Sequence, residues 1–415
     1  MSIPSLEFLL GLFLLVAVFH ALPSAAWRRI LLSCCNLAFV WFTLPNGWSR
    51  LALILFALSG YAAGRVLWRR PYSAIFAIYT ALLVAVFMVL KKYELISVLL
   101  PQRIMEHPIV AVGLSYMLFR QIHFLVDVMQ QQIPEFSLGS YLNYQFNLFG
   151  FISGPIQRFE DFGGQWRSMQ PLLLERHEVL RAYFRIFIGV VKVSAISPYF
   201  WDNYQAQRSM FLHPGSLLSL SQVSLLSRFA VVFYGYLVFL YFNFSGYCDI
   251  VIAAAALVAI KMPENFDQPY LSRNVSDYWT RFHQSLGFWV RDYLFTPMYK
   301  SLATHWSRQA HLLVYPCYLV AFVIAGLWHG NSMNFLVFGL LHGLGICAGK
   351  MWENLIIWRS GRKGLKAYMA SRTVRFAAIV LTLNFVAFTM LFFPQNVATA
   401  MAILHNFGHA IKHRM

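Results

Sequence analysis

Apolar stretches recur along this chain at 5–22, 30–44, 51–67, 73–90, 108–127, 182–200, 224–243, 246–261, 312–328, 334–349 and 373–393, parted by short links that carry most of the charge. A helix needs about 20 residues to cross the hydrocarbon core, so the shorter stretches are expected to tilt, to be partly buried or to re-enter. The pattern predicts an all-α polytopic membrane protein with about eleven membrane helices, some of the remaining helices being re-entrant or interfacial. No stretch is long and polar enough for a separate soluble domain and no internal repeat emerges, so residues 1–415 are expected to form one domain.

Composition agrees. Only 12% of the residues are charged and 59% are hydrophobic, whereas a soluble domain carries about 25% charged residues. The 38 Phe, 21 Tyr and 12 Trp suit interface belts and packing in lipid. The segment 1–7 has no basic n-region, so the first apolar stretch is expected to be a retained span rather than a cleaved signal peptide.

The net charge of +17 comes from cations that punctuate the apolar runs, such as Arg28 and Arg29 or Arg65, Arg69 and Arg70. That placement points to anionic headgroups of membrane lipids as partners, not to nucleic acid. By the positive-inside rule these links face the cytoplasm, which puts the N-terminus on the extracytoplasmic side; Lys91 and Lys92 oppose that orientation. Five dispersed cysteines, with no CxxC spacing, read as small packing residues. His405, His409 and His413 recur every four residues and share one face of a helix. Without a carboxylate or cysteine beside them, they fit a polar interfacial face better than a metal site.

Two interruptions break the apolar pattern. Residues 148–158 are apolar but contain Gly150, Gly154 and Pro155, so a straight span is not expected. Either the backbone is irregular and buried in protein, or the segment is a kinked helix or interfacial turn. Residues 261–299 form the second interruption. Pro263 and Pro269 make its first part extended and turn-rich. Ser276 is then expected to cap a helix on which Asp277 and Arg281 pair at i,i+4 while Trp279, His283 and Gly287 share another face.

An ionisable group at membrane depth is costly and usually faces a bundle interior or a wet cavity. His329, in Gly-Leu-Trp-His-Gly at 326–330, stands where one apolar stretch ends and the next is about to begin. His283 closes the polar-aromatic run Tyr-Trp-Thr-Arg-Phe-His at 278–283. For His329 the residue chemistry leaves two readings open, a proton-transfer site and a helix-linking hydrogen bond. His342 lies on a helix with Gly339, Gly343, Gly345 and Gly349, a small-residue pattern for close helix approach, and reads as a packed, hydrogen-bonded histidine. His123, with Arg120 and Asp127, receives the same structural reading.

Six segments occur in one order: Ser-Gly-Pro-Ile-Gln-Arg-Phe at 153–159, Tyr-Phe-Asn-Phe-Ser-Gly-Tyr at 241–247, Asn-Phe-Asp-Gln-Pro-Tyr-Leu-Ser-Arg at 265–273, Tyr-Trp-Thr-Arg-Phe-His at 278–283, Phe-Trp-Val-Arg-Asp-Tyr at 288–293 and Trp-His-Gly at 328–330. On a polytopic background the chain resembles the membrane-bound O-acyltransferase family from about residue 108 to 345. It is most similar to the bacterial branch that esterifies envelope polymers, which includes the D-alanyl transfer proteins of teichoic acid modification and the alginate O-acetylation proteins. Where the acetylase-like members carry a glycine-rich segment after the Arg-Asp-Tyr motif, this chain reads Thr-Pro-Met-Tyr-Lys-Ser-Leu at 296–302.

The resemblance implies a ring of helices around a central catalytic tunnel, with His329 and His283 facing it. It also implies an O-acyltransferase in a bacterial cytoplasmic (inner) membrane that moves D-alanyl or acetyl. No cofactor is expected to be tightly bound. The donor would be a thioester co-substrate on the cytoplasmic side, either the phosphopantetheine of an acyl carrier protein or acetyl-CoA. The acceptor would be an extracytoplasmic polymer or a relay acyltransferase.

A neutral imidazole suits removal of a hydroxyl proton at working pH, so His329 is expected to be the general base. His283 is expected to orient the donor or to stabilise the oxyanion. Asn265, Asp267, Arg291 and Trp328 are the candidate substrate-binding residues. No G-x-S-x-G nucleophile motif occurs, which favours direct transfer. The competing readings are a lipid O-acyltransferase that uses acyl-CoA and a polytopic transporter of an envelope precursor.

Overall fold

The computed structural model describes residues 4–93, 99–101, 106, 108–169, 175–213 and 215–413; residues 1–3 of the N-terminal segment lie outside them. Among the described residues the regular structure is helical, apart from one isolated antiparallel bridge between Phe266 and Phe282. The chain groups into two compact units, Met1–Val190 with Tyr247–Glu264, and Val191–Gly246 with Asn265–Met415.

In the first unit, α1 (Leu6–Ala21), α2 (Ala25–Thr43) and α3 (Gly47–Arg69) each begin at a polar cap. The side chains of Ser5, Ser24 and Asn46 accept from backbone N–H groups of the first turn. Then follow α4 (Ser73–Leu90), α5 (Leu114–Met129), α6 (Leu138–Gln145), α7 (Phe159–Ser168) and α8 (Arg176–Val191).

Arg120, His123 and Asp127 of α5 are all buried. The Arg120 guanidinium donates to the carbonyls of Tyr144 and Gln145, both at 2.9 Å, and to that of Gly150. His123 meets the Tyr144 hydroxyl, which donates to the Gln157 carbonyl at 2.9 Å. These bonds explain residues 146–158. No helix forms between Gln145 and Phe159, and the backbone there is irregular and largely buried, with the Gly150 carbonyl bound by Arg120 of α5 and the Gln157 carbonyl by Tyr144 of α6. Of the two readings of this segment, irregular backbone buried in protein is the one observed, and Arg120 and His123 are structural.

In the second unit, α9 (Ser197–Leu212) continues from the π turn Lys192–Ile196, and α10 (Gly215–Leu218) is short. The helix α11 (Gln222–Leu257) supplies its first part to this unit and its last turns to the other. The short helices α12 (Val275–Trp279) and α13 (Gln284–Trp289) lead through a π turn into α14 (Thr296–His305). The long helices α15 (Ala310–His329), α16 (Met333–Ala370) and α17 (Arg372–Met390) precede α18 (Val397–Lys412).

Among the described residues six helices are long and apolar enough to cross a membrane: α3, α4, α11, α15 with the turn before it, α16 and α17. The chain is thus a polytopic, all-helical membrane protein. The expected count of about eleven is reduced for identifiable reasons. The stretches at 224–243 and 246–261 fuse into α11, since no breaker separates them. The stretch at 108–127 yields the 16-residue α5, which buries nearly its whole circumference, α1 is also 16 residues long, and α2 at the 30–44 stretch takes in Arg28, Arg29 and Asn36, which lower its apolar character. The stretch at 182–200 is interrupted by a π turn.

The hairpin α15–α16 is the tightest contact of the second unit, and small residues make it so. A Cβ on Gly326 would lie 2.3 Å from the Phe335 carbonyl oxygen, and one on Gly339 would lie 2.4 Å from that of Phe322. Gly343 backs onto Leu319, whereas Gly345 faces Phe385 and Val275, and a Cβ on Gly349 would meet nothing. The expected small-residue seam therefore belongs to Gly326, Gly339 and Gly343. At the C-terminus His405, His409 and His413 are exposed on one face of the last helix, with Nε2 of His409 and His413 3.0 Å apart. Among the described residues no group of three metal-binding side chains forms there.

Candidate active site

The segment between α11 and α14 is shaped by buried Asn265. Its carbonyl accepts from the Gln284 N–H at 3.0 Å and its side-chain Oδ1 from the Ser285 N–H at 3.0 Å. Those are the first N–H groups of α13, whose own N-cap residue, His283, makes no side-chain cap. Asn265 therefore caps a helix that begins nearly twenty residues further on.

The backbone bridge between Phe266 and Phe282, with the Asp267 N–H donating to the Arg281 carbonyl at 2.9 Å, ties the same two strands of chain together. Clamped from both sides, His283 takes φ +52, a left-handed conformation uncommon for a residue with a side chain. The fixed turn aims the imidazole at Phe244, edge to face at 4.7 Å between ring centroids.

Two expectations for this segment are corrected. The helix before His283 is capped by Asn274, whose Oδ1 accepts from the Asp277 N–H at 2.8 Å, not by Ser276, which lies inside the helix. That helix also ends at Trp279, so Trp279, His283 and Gly287 do not share one helical face. Gly287 still meets Trp279, since a Cβ there would lie 2.4 Å from the Trp279 carbonyl oxygen. The Asp277–Arg281 pair forms as expected, at 2.8 Å.

His329 is the last residue of α15, and its ring sits in an aromatic wall: Trp328 at 4.6 Å, Phe393 at 5.0 Å, and Phe335 and Phe338 at 6.3 Å between centroids. These ring contacts are aromatic. His329 is half-buried, and His283 is 5% exposed. Burial holds the His283 imidazole at about 3, well below its ordinary value, and the nearby His329 pushes it in the same direction. His283 is therefore neutral at working pH and can serve as a hydrogen-bond donor or acceptor, not as a fixed charge.

The other sequence-selected residues fall into different places. Trp328 abuts His329. Asp267 is exposed and faces Arg281 at 3.6 Å. Arg291 pairs with Asp292 at 2.7 Å, lies 4.9 Å over Phe288, and lines an open pocket with Trp279, Phe295, Tyr318 and Phe322. Sequence reading did not single out Phe244, Phe338 or Phe393. Phe244 falls inside the Tyr-Phe-Asn-Phe-Ser-Gly-Tyr segment, which was the available signal; Phe393 reaches the site only through the fold.

Buried irregular backbone, close-packed long helices and two histidines set among aromatic rings define a polytopic membrane protein with a candidate proton-transfer site. The family model described as MBOAT, membrane-bound O-acyltransferase family, matches residues 72–393, and the chain belongs to that family. It is 29% identical over 290 residues to a teichoic acid D-alanyltransferase of Streptococcus thermophilus, covering 68% of this chain and 67% of that one. Against a peptidoglycan O-acetyltransferase of Helicobacter pylori it is 27% identical over 329 residues, covering 72% and 56%. Against a probable alginate O-acetylase of Pseudomonas fluorescens it is 27% identical over 248 residues, covering 60% and 46%. The chain thus spans about two thirds of the first relative's length and about half of each of the other two.

Proposed function

We propose that this protein moves an acyl group, D-alanyl or acetyl, from a cytoplasmic thioester to hydroxyls of a cell-envelope polymer or of a relay protein. The fixed turn that holds buried His283 and the aromatic wall around His329 at the end of α15, inside a family that transfers acyl groups to hydroxyls, carry the reading. The acceptor hydroxyl attacks the thioester carbonyl carbon while His329 takes its proton, the carbon–sulfur bond breaks, and the proton passes on to the leaving thiolate. The positive charge that His329 holds in between stands at the carbonyl end of α15, where a helix favours it. Neutral His283 donates to the carbonyl oxygen as charge develops there, or orients the thioester. Trp328 and the phenylalanine wall exclude water around His329.

Asn265 acts by fixing the turn that presents His283, and Asp267 and Arg291 shape the flanks of the site. The donor is a co-substrate, either a carrier-protein phosphopantetheine thioester or acetyl-CoA, and the cations of the chain attract both because both are anionic. The helices would surround a tunnel in which donor and acceptor meet from opposite faces of a bacterial inner membrane, with the N-terminus outside.

The test is the mild-base-releasable ester of the cell envelope, with acetate and D-alanine scored separately in wild type, deletion, and deletion complemented with His329→Ala at verified membrane abundance. Loss of one acid in both altered strains is expected and names the acyl group. Normal esters in the deletion would overturn the acyltransferase reading, and normal esters in His329→Ala would overturn the general-base assignment.

A further inference from the structure

His342 is fully buried and takes no part in the transfer chemistry described above, yet it bonds on both sides of its ring. The Trp279 indole Nε1–H donates to His342 Nδ1 at 3.0 Å. An indole nitrogen can only donate, so Nδ1 is the acceptor and the ring proton resides on Nε2. Nε2 lies 2.9 Å from Thr389 Oγ1, which donates onward to the Val386 carbonyl at 2.8 Å. The direction of every bond in the chain Trp279–His342–Thr389–Val386 is thereby fixed, and one tautomer of His342 satisfies it.

The bridge joins elements that are distant in sequence. Trp279 ends the short helix just ahead of the His283 turn, and Thr389 lies on α17. The His342 ring also packs at 4.4 Å on Phe338, which in turn contacts His329 at 6.3 Å and Phe393 at 5.0 Å. One buried imidazole thus touches the segment that carries His283 and the wall that flanks His329.

We propose that His342 is a positioning residue that sets the spacing between His283 and His329 through its single-tautomer bridge from Trp279 to Thr389. The inference rests on the acyl-transfer reading above. It uses the family reaction only as the readout.

The experiment compares His342→Phe, His342→Gln, Trp279→Phe, the double variant His342→Phe/Trp279→Phe, and Thr389→Val in the complemented deletion strain. Envelope ester is divided by membrane-embedded enzyme, and the melting temperature of each detergent-purified protein is recorded. Phenylalanine keeps a ring against Phe338 but loses both hydrogen bonds; glutamine keeps one acceptor and one donor. His342→Phe is expected to lower ester per folded enzyme about tenfold, the scale of a small misplacement of reacting groups. His342→Gln should restore it to within about twofold, and the double variant should lose no more than either single, because all act on one bridge. Thr389→Val gives the same answer should His342→Phe fail to accumulate.

Full ester in both His342→Phe and Thr389→Val would overturn the proposal. So would His342→Gln as impaired as His342→Phe, which would make the imidazole itself the requirement, or losses that multiply in the double variant. His329→Ala runs alongside: if that variant transfers normally, the general-base reading fails, and the His342 result is then judged against wild type alone.

Discussion

Asn265, His283 and Trp279 are held by bonds that sequence spacing does not announce. Asn265 is 0% exposed and its side chain supplies an acceptor to the Ser285 N–H. Asn265→Ala leaves that N–H buried without its acceptor and is expected to destabilise the protein by about 1–3 kcal/mol. Melting temperature in detergent is the measure. For His283 the expected behaviour is a pH slope. Its folded-state value of about 3 lies below the ordinary 6.5, so between those values the unfolded chain binds a proton that the folded one excludes. Stability should therefore fall as pH drops from about 6.5 towards 3, by at most about 1.4 kcal/mol per pH unit from this group. Thermal melts of wild type and His283→Asn across that range check the sign: the wild type should lose more on acidification. The histidines themselves were legible, because an ionisable residue among apolar ones is rare and costly. Their surroundings were not. Trp279 and His342 are 63 positions apart, and only the fold brings them to 3.0 Å.

At the scale of elements, apolar runs foretold where helices lie better than where they end. The α11 helix runs through both stretches read as separate spans, since Phe244 and Ser245 between them include no proline to break it. The cap before Trp279 falls two residues earlier than expected: Asn274 and Ser276 are both capping types, and it is the Asn274 side-chain Oδ1 that accepts from the Asp277 N–H at 2.8 Å. The small-residue seam was legible in part. Gly339→Ala and Gly326→Ala each place a carbon within 2.5 Å of a backbone oxygen of the facing helix, which cannot move aside like a side chain. Either is expected to push α15 and α16 apart, cost about 1–3 kcal/mol or more and reduce membrane abundance. Gly349→Ala, with open space around it, should be silent. Equal abundance of all three variants on immunoblots of membranes would refute this account of the hairpin.

Considered whole, the molecule spends little of its charge inside. Of 33 Lys and Arg, Arg120 and Arg28 are buried on backbone carbonyls, while Arg185 of α8 joins Asp249 of α11 at 2.9 Å and binds Glu264 through both terminal nitrogens. That fork ties a helix, a spanning helix and the loop after it within the first unit. Arg185→Lys keeps the charge but loses the planar fork, and should lower detergent stability by up to about 1 kcal/mol, nearly as much as Arg185→Ala. A lysine variant as stable as wild type would reduce this clamp to simple charge pairing. The class of protein was evident from composition alone, and the family from six short segments, because both depend on residue identity more than on geometry. The acyl group and its acceptor depend on the shape of the site, which short motifs do not encode.

The turn at His283 carries a conflict of another kind. Glycine or asparagine would rest more easily in that left-handed backbone than histidine does, so on the proposed reading the position is where selection for chemistry and selection for folding pull apart. A lineage that abandoned the reaction but kept the scaffold would be expected to drift there first, and a family member with glycine or asparagine at this turn is one to suspect of having traded catalysis for some other use of the same fold.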